Sequence, residues 1–72
     1  MSRTYVIIIE SGGRNCSAYA PDLPGCIATG KTIAETKRNM SEAIKAHLQF
    51  MRESGDPIPE PTTLVADSVT VG

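Results

Sequence analysis

Two prolines and a glycine fall within the five residues Pro21-Asp22-Leu23-Pro24-Gly25. No helix can run through such a segment, because proline lacks the N–H a helix needs and fixes its own φ. The residues on either side, Asn15 to Ala20 and Gly25 to Gly30, alternate with the period of strands. Thr32 then opens a long amphipathic helix. The unit therefore reads as strand, rigid corner, strand, glycine and helix.

The rest of the chain fits around that unit. Thr4-Tyr5-Val6-Ile7-Ile8-Ile9-Glu10 is β-branched and aromatic on both faces, as in a strand covered on two sides. Ser11-Gly12-Gly13-Arg14 is a turn with glycines free to take positive φ. Thr32-Ile33-Ala34-Glu35 has the form of a capping box, with Glu35 expected to reach back to the Thr32 N–H. The helix behind it sets Ile33, Met40, Ile44, His47, Leu48 and Met51 on one stripe, with Ala43 at its edge. Glu35, Arg38, Glu42, Lys45, Gln49 and Glu53 fall on the wet side. Gly55 suits the position after the helix, and Pro57 forbids continuation. Pro57 to Pro61 must run extended, and Leu64 to Val71 is expected to form a last strand at a sheet edge. The fold class is α+β with element order β-β-β-α-β: a small antiparallel sheet with one helix on one face.

Seventy-two residues make a single domain, 1–72. A chain this short buries only about 60% of its unfolded surface, so its core is thin. The net charge is −1 with both signs interspersed, which leaves no basic face for phosphates. Direct nucleic-acid binding is therefore not expected. No apolar run approaches the roughly 18 residues of a membrane span, and the N-terminus lacks the pattern of a signal peptide. A cytoplasmic protein is the expectation.

Strand pairing can be counted from the corners. With Tyr19 facing Ile27 across the proline corner, Cys26 lies opposite Ala20 and Cys16 opposite Gly30. The two sulfurs are then about 13 Å apart at roughly 3.3 Å per residue, too far for a disulfide. Two small thiols in a reducing compartment are expected. Across the glycine turn, Ile7 is placed opposite Ala18 and Ile9 opposite Cys16. One sheet face then carries Tyr5, Ile7, Ile9, Cys16, Ala18, Ala20, Cys26 and Ala28, whose small members let a helix approach. The other face carries Val6, Ile8, Tyr19 and Ile27 among Ser17 and Thr29. One helix cannot cover both faces, so association is expected on the second face or along a free edge, as a homodimer or higher homo-oligomer.

Little suggests catalysis. His47 is the sole histidine and belongs to the apolar stripe, where a packed role suits it. Glu10 and Asp22 are the carboxylates that a Mg²⁺-dependent nuclease would need. Yet a solvated strand end explains Glu10, and acceptance of N–H groups within its own turn explains Asp22. Gly25 and Gly30 are expected to supply backbone conformations that other residues avoid; they do not form a phosphate loop. No metal, cofactor or catalytic residue is expected.

The corner Tyr19-Ala20-Pro21-Asp22-Leu23-Pro24-Gly25-Cys26, the Gly30-Lys31-Thr32 helix start, and Gly55-Asp56-Pro57-Ile58-Pro59-Glu60-Pro61 together resemble the HicB family of antitoxins. The Glu42-Ala43-Ile44 and His47-Leu48 helix pattern strengthens the likeness, which spans nearly the whole chain. The resemblance implies a degraded ribonuclease-H-like core and assembly into oligomers. It also implies a partner: a small basic HicA-like toxin that cleaves mRNA and whose catalytic histidine the antitoxin masks. Tyr19, Asp22, Leu23, Pro24, Gly25 and Ile27 are the expected contact residues. Many HicB proteins carry a C-terminal DNA-binding segment; none is read here, so transcriptional autoregulation is not expected of this chain alone. An orphan oligomeric interaction module is the other non-enzymatic reading.

Overall fold

In the computed structural model, which describes residues 2–72, three strands and one helix follow one another as β1 (Ile8–Ser11), β2 (Cys16–Ala20), β3 (Leu23–Gly30) and α1 (Ile33–Glu53). The strands form one antiparallel sheet in the order β1-β2-β3, and α1 packs across one face, mainly over β3 and β2.

The first hairpin is tighter than the sequence suggests. The Gly12 N–H donates to the Asn15 carbonyl at 2.7 Å, and Gly13 takes a φ of 94°. Ser11 therefore faces Cys16, and Ile9 rather than Ile7 faces Ala18. The slip is two residues, so every side chain keeps its expected face. β1 begins at Ile8 instead of Thr4 because its partner runs out. In this register residue 6 would face Pro21, which has no N–H to offer.

Tyr19 faces Ile27 and Cys16 faces Gly30, as counted from the corner. The pairing then breaks between Tyr19 and Ala20, and Ala20 faces Leu23 instead of Cys26. Gly25 at φ 83° allows this bulge. The consequence is that Leu23 turns inward and is 1% exposed, joining Ala18, Ala20, Cys26 and Met40 in the core. Tyr5, Ile7, Ile9 and Ala28 line the same side, with Ala43, Ile44 and Leu48 of the helix above them. Each fully buried side chain of the size of Leu23 or Met40 contributes about 1.5–3 kcal/mol.

Both helix ends are closed by their own sequence. The Thr32 hydroxyl accepts the Glu35 N–H at 3.1 Å, and the Glu35 carboxylate accepts the Lys31 N–H, one residue before the expected Thr32. At the C-terminus the Gly55 N–H reaches the Arg52 carbonyl and the Asp56 N–H the Met51 carbonyl, with Gly55 at φ 75°. These are the paired bonds of a Schellman motif. The stripe departs from expectation at two places. Ile33 is exposed, whereas Thr36 is fully buried, its hydroxyl bonded to the Thr32 carbonyl at 2.7 Å. Gly30 explains the second: a Cβ there would sit 2.7 Å from the Thr36 N and Oγ1. Gly30 thus serves close helix–strand approach rather than an unusual φ.

Residues 64–71 form no ladder, contrary to the expected last strand. Leu64, Val65, Val69 and Val71 are left exposed. The radius of gyration, 13.4 Å, accordingly exceeds the value of about 11 Å typical of a compact chain this long.

Candidate partner-binding surface

The face of the sheet away from α1 carries one continuous apolar row. Ile8 faces Tyr19 on β2, and Tyr19 faces Ile27 on β3, so the three side chains cross all three strands in register. Ile27 is 69% exposed and Tyr19 42%, with Ile8 half-buried beside them. Ser17 and Thr29, themselves a cross-strand pair, border the row with hydroxyls. An uncovered apolar row rimmed by small polar groups is the surface chemistry of a protein contact.

The corner lies at the end of this row. Pro24 and Gly25 are exposed at its tip, while Leu23 is buried beneath and belongs to the core rather than to any contact surface. Asp22 has a different occupation. Its carboxylate accepts the Thr62 hydroxyl at 2.7 Å, the Thr62 N–H at 3.2 Å, the Thr63 N–H at 3.0 Å and the Thr63 hydroxyl at 3.3 Å. The bonds come from forty residues away, not from its own turn. Led by the Thr62 hydroxyl and then the Thr63 N–H, they hold the Asp22 pKa below its ordinary value, against a smaller opposing effect of desolvation. Nearby, the Tyr5 hydroxyl donates to the Pro59 carbonyl and Arg3 pairs with Glu60 at 3.3 Å. The chain after α1 is thereby strapped across the lower end of the sheet. No sequence signal linked Asp22 to Thr62 and Thr63, because hydrogen bonds between distant residues leave no periodicity.

The geometry separates the groups a nuclease would need. Glu10 faces Ser17, whereas Asp22 lies past the other end of β2. The three steps of β2 from Ser17 to Ala20 alone span roughly 10 Å, Asp22 lies beyond them in the corner, and its oxygens are already bonded to the strap. The two carboxylates cannot share one Mg²⁺. The thiols of Cys16 and Cys26 are both unpaired, and burial pushes the Cys26 pKa up. No helix among the described residues is long and apolar enough to cross a membrane.

Comparison with known proteins places this arrangement in a class. Residues 5–70 match the family described as HicB-like antitoxin of bacterial toxin–antitoxin system. The chain belongs to that family. A UPF0150 protein of Thermoplasma acidophilum is 37% identical over 66 residues, which cover 92% of this chain and 91% of that protein. An uncharacterized 14.9 kDa protein of Haemophilus phage HP1 is 36% identical over 56 residues; the match covers 78% of this chain but only 42% of the phage protein. Among solved structures, one chain of a HicA3 and HicB3 toxin–antitoxin complex superposes with a TM-score of 0.72 at 32% identity, over 82% of this chain and 69% of that one.

Proposed function

We propose that this chain is the antitoxin of a type II toxin–antitoxin pair and silences a HicA-like, mRNA-cleaving toxin by stoichiometric binding in the cytoplasm. The observation that carries the reading is the superposition on a chain from a HicA3 and HicB3 complex, at a sequence identity that goes beyond fold alone. The catalysis belongs to the toxin, and this chain contributes surface.

The Ile8–Tyr19–Ile27 row is the surface assigned to that contact, with Pro24 and Gly25 at its end. Its aromatic and branched side chains provide apolar area on a stiff sheet, so little conformational freedom is lost on binding. Asp22 serves the contact indirectly, by fixing the corner that presents Pro24 and Gly25.

Co-expression with a small basic HicA-like protein, taken from beside the gene where one is encoded there, tests the proposal. The two proteins are expected to purify together, and growth arrest by the toxin is expected to be relieved. Ile27→Asp is expected to weaken the complex at least tenfold while leaving the chain folded. Absence of binding and of rescue by the unaltered chain overturns the antitoxin role. Capture of some other protein without rescue would mark an orphan interaction module instead.

A further inference from the structure

Residues 2–7 run ahead of β1 without joining a ladder, and between them and α1 lies an open groove of about 340 Å³. Tyr5, Ile44 and Leu48, each half-buried, form its apolar floor. A second groove of about 210 Å³ shares Tyr5 and Ile44 with the first and continues it past Ile7. The lip is basic: exposed Arg3, Lys45 and Arg52 border the first groove and exposed Lys37 the second. Among the described residues, no aspartate or glutamate lines either one.

For a chain of net charge −1 this is an uneven distribution, with four of its seven lysines and arginines around one groove. Arg3 comes from the opposite end of the chain to Arg52, so the cluster leaves no run of charge in the sequence. Lys37 and Arg52 form no ion pair among the described residues. The other two are loosely held: Arg3 meets Glu60 at 3.3 Å and Lys45 meets Glu42 at 3.4 Å, with both carboxylates exposed to solvent. Surface pairs of this kind contribute little, so an incoming carboxylate can replace either glutamate.

Shape and charge together select the occupant. A small ligand is usually held mostly enclosed, whereas this groove is open along its length. Lys37 and Arg52 are about 22 Å apart along the helix at roughly 1.5 Å per residue. That is the reach of about seven residues of extended chain at roughly 3.3 Å each. Alternate side chains of such a segment point to opposite sides, so apolar ones can reach the floor while acidic ones meet the lip. A nucleic-acid backbone would satisfy the lip but leave the apolar floor unused. The floor residues pack against the core on the helix-bearing side of the sheet, away from the Ile8–Tyr19–Ile27 row. The lip also has the wrong sign for the basic toxin assigned to that row.

We propose that this groove docks an extended segment of a partner protein in which acidic and apolar residues alternate. The site is separate from the outer row, and the proposal does not depend on the toxin reading. Fluorescence anisotropy of the full chain with a labelled octapeptide alternating Asp and Leu tests it. Octapeptides alternating Lys with Leu and Asp with Ser, and an octamer of thymidylate, serve as comparisons. The Asp–Leu peptide is expected to bind at least tenfold more tightly than all three, and to weaken as salt is raised. Charge reversal by Lys45→Glu together with Arg52→Glu is expected to weaken it at least tenfold with unchanged circular dichroism, and to favour the Lys–Leu peptide instead. Ile27→Asp is expected to leave the affinity unchanged. In the unaltered chain the peptide is expected to shift the amide resonances of Tyr5, Ile44 and Leu48 and not those of Tyr19 and Ile27. Absence of a preference for the Asp–Leu peptide overturns the proposal. So do binding that survives charge reversal and shifts centred on Tyr19 and Ile27.

Discussion

Asp22 is the residue with the most varied duties in this chain. Its carboxylate accepts from Thr62 and Thr63 in the folded protein and from water in the unfolded one. Its pKa is therefore lowered on folding from the usual 3.8. The sign follows: the strap is fully held above pH 3.8 and loosens as the pH falls through the lower, folded value. The Thr62 and Thr63 amide resonances are expected to titrate in that acid range, and Asp22→Asn is expected to abolish the titration. Gly30 is constrained in another way, by the closeness of Thr36. Gly30→Ala forces a methyl against helix backbone and is expected to cost about 1–3 kcal/mol in urea unfolding, as overpacking usually does. Neither duty could be read from the sequence. A local turn was the natural role for Asp22, and an unusual φ the natural role for Gly30. Both residues answer to partners that only the closed fold brings near.

Element by element, the sequence was more legible, because capping and alternation are local. Thr32 and Glu35 close the helix start nearly as their spacing implies, and Gly55 with Pro57 ends it. Thr32→Ala is expected to remove about 1 kcal/mol of stability, measured by thermal or urea unfolding. Tyr19 and Ile27 face each other because the proline corner leaves few registers open. The faces of β1 survived a two-residue error in register because side-chain direction depends only on parity. The sequence suggests a surface position for Leu23, whereas the bulge at Gly25 rotates it inward, and bulges have no fixed sequence mark. Thr36 was missed for a related reason: a hydroxyl looks polar until its own helix satisfies it. Residues 64–71 have the composition of a strand but no partner within the chain, and composition cannot supply one.

At the scale of the whole molecule, the core and the proposed contact surface lie on opposite faces. The core lies between helix and sheet, whereas Ile8, Tyr19 and Ile27 lie on the far side. Substitutions on the outer row should then separate stability from binding. Ile27→Glu is expected to shift unfolding free energy by no more than about 0.5 kcal/mol, the usual range for an exposed site, while a core change such as Met40→Ala is expected to cost about 2–5 kcal/mol. Urea titrations of the two variants check the contrast. Equal losses would mean that the outer row supports the fold itself.

The outer edge of β3 is blunted by Pro24, which has no N–H, by the kink at Gly25 and by the Asn39 amide on the Thr29 carbonyl at 2.8 Å, and this determines what kind of aggregate the protein can avoid. Fibres grow when every subunit offers two compatible seams, one to receive and one to pass the pattern on. Here the kink at Gly25 and the Asn39 amide close one of the two, so edge-to-edge strand addition halts after a single junction. Even at high abundance, the chain is expected to stay dispersed rather than polymerise.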